Sequence, residues 1–401
     1  MEWKKYRLGD LACSIQTGPF GSQLHQSDYS SNGTPVIMPK DMMDGKISES
    51  SIARVADDHV ERLKRHKVKS GDVVYSRRGD VGRCVLITDK EDGWLCGTGC
   101  LKVELDDQKV LPSFLFYILQ RKDSVGWVEN HAVGSTMPNL NTGILSKLPV
   151  MLPTLKEQQC IASILSAYDK LIEINNKRIR ILEKMAENLY KEWFSYHKIY
   201  DDVKEVRVSD IVSIHRGLSY SSEEINCTKG DDLINLKNIQ TFGGFRLDGT
   251  KKYNGRTKPE QIVYEGDLVM GVTDMTQDRR TVGAVALIPN LSERSVISAD
   301  LIKLVSDIDN VYLYAMFRWG NVSRYVSQFA NGANVLHLKP QSLRNVRILL
   351  PRQDLIDGYV ATVKPMINSI NKLNVKNSNL ARQRDLLLPR LMSGKLSISV
   401  D

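Results

Sequence analysis

Arginines crowd one short stretch of this 401-residue chain. The segment SRRGDVGR presents Ser76, Arg77, Arg78 and Arg83 around two glycines. A guanidinium can grip a phosphate, or two acceptors on a guanine edge, in bidentate fashion, and Asn or Gln can do the same for adenine. Further on, GVTDMTQDRR offers Thr273, Asp274, Gln277, Arg279 and Arg280. Two glycine-bearing stretches carry similar chemistry: QTGPFGSQ, with Gln16, Phe20, Ser22 and Gln23, and HRGLSYSS, with His215, Arg216 and Tyr220. Glycine lets a backbone approach a phosphate closely, and an aromatic ring can wedge or stack. PKDM supplies Lys40; LKNI and the residue before it supply Asn235, Lys237 and Asn238; GSTMPNLN supplies Ser135 and Asn139; NGANV supplies Asn331 and Asn334. Each stretch also has a plain structural reading, as a solvated basic turn or an ordinary turn after a strand. Asn139 in particular suits a turn.

The chemistry of catalysis is missing. There is no Pro-Pro pair, so the Asn/Asp-Pro-Pro-Tyr/Phe motif of amino-methyltransferases is absent. No GxxxxGK(S/T) phosphate loop occurs, Gly394-Lys395 being followed by Leu396, and neither HExxH nor GxSxG occurs. Cys96 and Cys100 are close, but no second Cys or His pair has finger-like spacing, so no metal site is expected.

Net charge is +8 with a pI of about 9.0, an excess of base that suits a polyanion such as nucleic acid or simply a basic soluble protein. Apolar content of 42% and charged content of 25% are those of a globular chain. The opening MEWKKYRLGDLACSIQ lacks the apolar core of a signal peptide, and no run long enough to span a membrane exists. The six scattered cysteines read as reduced thiols, which points to the cytoplasm and away from a membrane.

The elements that must position these residues come in two copies. YRLGDLACSIQTG (6–18) matches VRVSDIVSIHRG (206–217), and PVIMPKDM matches DLINLKNI. Gly71-Asp72 answers Gly266-Asp267, Val81-Gly82 answers Val282-Gly283, and GSTMPNLNTGILSKLPVMLP answers GANVLHLKPQSLRNVRILLP with a shift of 198, as Gly332 is to Gly134. A repeat this long is a duplicated domain, not a solenoid. Strands are expected at 73–75, 84–88, 101–105, 268–270, 284–288 and 301–305, and short helices at 112–119 and 311–319. The fold class is mixed α/β with a twisted, β-rich centre in each copy.

Each copy is followed by a long helical segment. LKEQQCIASILSAYDKLIEINNKRIRILEKMAENLYKEWFSYH (155–197) contains no Gly or Pro. Its stripe of Ile161, Ile164, Tyr168, Leu171, Ile172, Ile179, Leu182, Ala186, Leu189 and Trp193 predicts a rod of roughly 60 Å. The segment 353–388 has its own stripe, Tyr359, Val363, Ile367, Ile370, Leu373, Leu380 and Leu387. Pro365 is expected to kink or split it, and Pro389 and Gly394 to end it. Neither rod is stable alone in water, so each needs the other.

The order globular domain, long helix, globular domain, long helix resembles the specificity subunits of type I restriction–modification systems. The stretches that carry the resemblance are LPVMLPTLKEQQCIASIL, RDLLLPRLMSGKL, RLGDL and GSTMPNLN. The second helix entrance, LPRQDLIDGYVATV, departs by lacking the EQ pair. The resemblance implies target recognition domains at 1–154 and 199–352, with a helix at 155–198 and a helix and tail at 353–401, the two helices forming an antiparallel coiled coil related by a pseudo-two-fold. It implies double-stranded DNA as ligand, with each domain reading one half of a split target. It further implies two docked methyltransferase subunits that carry S-adenosylmethionine, a restriction and translocation subunit, and no cofactor or catalysis in this chain. An enzyme with unrecognised motifs, or a two-domain structural adaptor, are the alternatives. Two antiparallel helices related by a two-fold bring equivalent midpoints together. Asn176, the midpoint of the first rod, and Asn374, its equivalent by the 198 shift, are therefore expected to meet and fix the register.

Overall fold

The computed structural model of the chain describes residues 3–20, 23–134, 138–195, 203–225, 227–291, 293–393 and 396. It divides into two units, residues 1–169 with 382–401, and residues 170–381.

In the first unit a four-stranded antiparallel sheet runs in the order Ala12–Thr17, Cys100–Leu105, Val73–Ser76, Cys84–Leu86. Fully buried Val73, Tyr75, Leu101 and Val103 pack from it onto Phe114 and Leu115 of the helix Pro112–Leu119. A second four-stranded sheet contains the parallel pair Thr34–Ile37 and Leu95–Cys96. The ends of the domain are tied by Lys4–Arg7 pairing antiparallel with Pro149–Leu152.

The second unit repeats this wiring. Ser213–Arg216, Leu301–Val305, Leu268–Gly271 and Val285–Leu287 follow the same sheet order, beside the helix Asn310–Trp319. Asp231–Ile234 and Ser295–Ile297 form the equivalent parallel pair. Lys204–Arg207 pairs with Arg347–Leu350. The repeated aspartates turn out to hold turns. Asp10 and Asp210 each accept the N–H three residues back at 2.9 Å. Asp72 and Asp267 do the same at 2.9 and 2.8 Å.

The long helices are Leu155–Tyr190, which continues as a π-helical turn over Lys191–Ser195, and Gln353–Met392. Thr154 caps the first, its N–H and hydroxyl both bonding Glu157 at 2.9 Å. Contrary to expectation, the second helix runs unbroken through Pro365 and Pro389. Proline removes one backbone bond, but burial on both sides holds the helix. Tyr359, Val363, Ile367 and Ile370 are buried around Pro365, and Leu391 and Met392 after Pro389. Within the second unit the helices run antiparallel, with Tyr359 donating to the Ala186 carbonyl and Asn175 bonding Asn377. Within the first, Arg384 bonds Asp169, which also accepts Tyr117 Oη. Two expected seam residues, Ile164 and Leu171, are exposed instead.

Candidate nucleic-acid interface

In the first unit two loops meet. The loop after Val73–Ser76 pairs with the segment around Asn139 through a bridge of Arg78 with Asn139, and Leu140 N–H donates to the Arg77 carbonyl at 2.8 Å. The second segment is itself closed by reciprocal Val133–Asn139 bonds at 3.0 and 2.9 Å. Arg77 Nε donates to Asn139 Oδ1 at 3.2 Å, and its guanidinium lies 5.7 Å from the Phe20 ring centre. Phe20 is 53% exposed, so a large aromatic face stands in solvent beside a cation and an amide. Arg78 is exposed, and Arg83 pairs with Asp80 while reaching the Met42 carbonyl. Sequence reasoning placed these residues in separate stretches; the fold brings Phe20, Arg77, Arg78 and Asn139 together.

The second unit builds the same junction from different side chains. Thr273–Asp274 pairs with Leu336–His337, Leu338 N–H donates to the Val272 carbonyl at 2.8 Å, and Asn331 and His337 exchange bonds at 3.1 and 2.9 Å. His337 thus stands where the first copy has Asn139, a substitution visible in the aligned repeat but not singled out. Gln277 crosses the junction to the Ala333 carbonyl at 3.1 Å. Met275 at the tip is 80% exposed. Asn331, Asn334, Gln277 and Arg280 are exposed, and Arg279 is half-buried.

Several expected readers face inward. Ser76 is fully buried and its hydroxyl bonds the Arg78 carbonyl at 3.1 Å. Thr273 is buried and donates to Asp300 at 3.0 Å. Asp274, 2% exposed, collects the N–H groups of Thr276, Thr281 and Val282 and braces the loop from inside. Burial raises its pKa, and those bonds from Thr281 and Thr276 overcome it, leaving the carboxyl below its ordinary value. Asn235 and Asn238 are buried turn formers. Asn238 Oδ1 accepts the Asn235 N–H at 2.9 Å, and its amide reaches the Arg246 carbonyl and Thr250. The first copy carried the clue, because Asp41 does the same for Met38 N–H at 3.0 Å.

The remaining candidates are scattered. Gln16 lies half-buried in its strand opposite Lys102, and Gln23 Oε1 accepts Phe20 N–H at 3.2 Å. Lys40 and Lys237 are exposed; Lys40 reaches the Ser51 carbonyl at 3.4 Å. His215 is half-buried opposite Lys303, Arg216 is exposed, and Tyr220 packs partly into a small core beneath Lys251. Ser22 and Ser135 lie outside the described residues. Asn176 bonds Asn377, not Asn374, which instead lines a small cavity with Ile179 and Glu183. Among the described residues no cluster suits a metal ion, and no helix is long and apolar enough to cross a membrane.

Residues 1–184 match the model of the type I restriction modification DNA specificity domain. The chain is 22% identical to the type I restriction enzyme HindI specificity subunit of Haemophilus influenzae, over 98% of this chain and 100% of that one. It is 21% identical to the MjaIX specificity subunit of Methanocaldococcus jannaschii, over 92% and 88%. The crystal structure of a type I restriction–modification S subunit from M. genitalium shares the fold, with a TM-score of 0.64 at 15% identity over 99% and 97% of the two chains. The duplicated domain and the paired long helices agree with this likeness: the chain is similar, over nearly its whole length, to specificity subunits of type I restriction–modification systems.

Proposed function

We propose that this chain is the DNA-reading, non-catalytic subunit of a type I restriction–modification complex, each domain reading one half of a split target. One observation carries the reading. The same two loops converge in both copies, by the same backbone bonds, yet present Arg77, Arg78 and Asn139, beside Phe20, in one and Met275, Gln277, Asn334 and His337 in the other. A constant frame with different side chains is what two independent readers of different base edges require. Two methyltransferase subunits holding S-adenosylmethionine, and a restriction subunit, complete the complex in the cytoplasm. The exposed line Leu171, Ile174, Ile181 and Met185, at helical spacing on the first long helix, supports docking of such a partner. Replacing residues 1–150 by the matching domain of another family member, then sequencing the host methylome, tests the reading. One half of the methylated sequence should change and the other stay. A change in both halves, or in neither, overturns it.

A further inference from the structure

Both copies of the domain form the same cavity and line it differently. In the second copy, a cavity of about 600 Å³ is walled by Phe242, Arg279, Arg280, Arg318, Ser323 and Arg324. In the first, one of about 580 Å³ is walled by Asp44, Arg83, Gln120, Val125 and Arg384. The 198-residue shift of the neighbouring block carries Gln120 to Arg318 and Val125 to Ser323, and Asp44 and Phe242 correspond as the left-handed residues ahead of Gly45 and Gly243. Packing agrees: Gly82 abuts Val125 as Gly283 abuts Ser323, and Gly45 abuts Gln120 as Gly243 abuts Arg318. The duplication therefore supplies its own control. Where the second copy has Arg318, Ser323 and Arg324, the first has Gln120, Val125 and Gly126.

The state of these charges separates the copies further. In the first, Arg83 is neutralised by Asp80 and Arg384 by Asp169 and Asp385. In the second, Arg318 is committed to Glu183 at 3.0 Å and to Tyr314, and Arg280 to Asp278 at the rim at 2.6 Å. Arg279 and Arg324 have no acidic partner among the described residues. Arg279 Nε and Ser323 Oγ are both buried without a hydrogen-bond partner. Arg279 also holds a φ of +54°, a left-handed conformation that a residue with a Cβ seldom adopts. Buried donors left unpaired call for an acceptor, and the guanidinium fork fits phosphate oxygens.

We propose that this cavity is a phosphate seat present in the second domain alone, formed by Arg279, Arg324 and Ser323. Resting on the DNA-reading role above, its phosphate is one of the DNA backbone beside the second half-site; free phosphate has the same chemistry and is tested separately. Arg279→Gly relieves the left-handed backbone and Arg324 is exposed, so the paired substitution leaves the fold standing. Inorganic phosphate is titrated calorimetrically into the full chain, and DNA binding by the complex with its methyltransferase partner is measured across salt. The variant R279G/R324A should weaken phosphate binding at least tenfold and flatten the log–log salt slope by about 0.9 for each DNA phosphate no longer neutralised. The control Gln120→Ala, at the equivalent cavity of the first domain, should leave phosphate binding unchanged. Loss of phosphate binding with an unchanged slope keeps the seat and assigns it to free phosphate. No change in either, while the wild-type complex binds DNA in a salt-dependent way, overturns the seat and leaves the DNA-reading role intact. If the wild-type complex does not bind DNA, that role fails and the calorimetric arm alone judges the seat.

Discussion

Asn175 Nδ2 donates to Asn377 Oδ1 at 2.8 Å, joining the two long helices through an amide that is 3% exposed. Asn377 returns a bond to Asn176 Oδ1 at 2.9 Å. Stepping along an antiparallel pair from Asn175 and Asn377 puts Lys177 opposite Val375, and these two are related by the 198-residue shift. The helix pair is centred there within the second unit, one residue beyond the midpoint drawn from the ends of the first segment. That displacement puts residue 376 in place of Asn374 opposite Asn176, and the neighbouring Asn377, less than one helical turn from Asn374, supplies the amide.

An apolar seam can slide by a turn with little penalty, whereas a buried amide pair has one register. Asn377→Ala leaves the Asn175 amide buried and unpaired and should cost about 1–3 kcal/mol. Replacing both Asn175 and Asn377 by Leu should restore stability while loosening the register. Denaturant unfolding reads the first effect, and cysteine cross-linking at seam positions one turn out of register reads the second. A loss below about 0.5 kcal/mol in Asn377→Ala would assign the pair no structural weight.

The long-range plan was legible because it is periodic. The strands at 73–75 and 268–270 and the helix at 112–119 follow from alternation and spacing, and the duplication confirms each against its copy. The prolines misled because local rules see the missing backbone bond at Pro365 but not the buried Val363 and Ile367 that flank it. The site was harder. Polar residues in turns divide into those that face out and those that build the turn, and composition does not separate them. Asn238 and Asp274 belong to the second kind. The second-domain cavity was missed since Arg318 and Arg324 sit on helices, where spacing speaks only of packing. Their equivalents Gln120 and Gly126 held the information, once the repeat was read for differences instead of likeness.

The first domain should lose stability in mild acid. His66 is 3% exposed and accepts a hydrogen bond from Arg65 Nε at 3.0 Å. Burial, then the charges of Arg65 and Lys102, push its pKa down to about 4. The unfolded chain protonates this imidazole near its ordinary pKa of about 6.5, so it binds the proton first. The contribution is complete above about pH 6.5, declines as the pH falls toward 4 and changes no further below, for a total on the order of 3 kcal/mol. His66→Gln should flatten that decline in denaturation curves taken between pH 4 and 7. An unaltered pH dependence would place the acid sensitivity elsewhere.

The arginines of the first-domain loop should differ in effect, because the fold has given them different partners. Arg83 is already neutralised by Asp80, and Arg77 is held by Asn139 beneath Phe20. Arg78 alone is exposed with no acidic partner among the described residues. Arg78→Ala should therefore weaken DNA binding by the assembled complex across all sequences, and flatten the log–log salt slope by about 0.9. Arg83→Ala should move the slope less, since its charge is offset before DNA arrives. Arg77→Ala should instead free Asn139 and Phe20 and relax the first half-site, seen as extra methylated sequences that differ in that half alone. An equal change of slope from all three substitutions, with the methylated sequence intact, would reduce the loop to a diffuse basic surface.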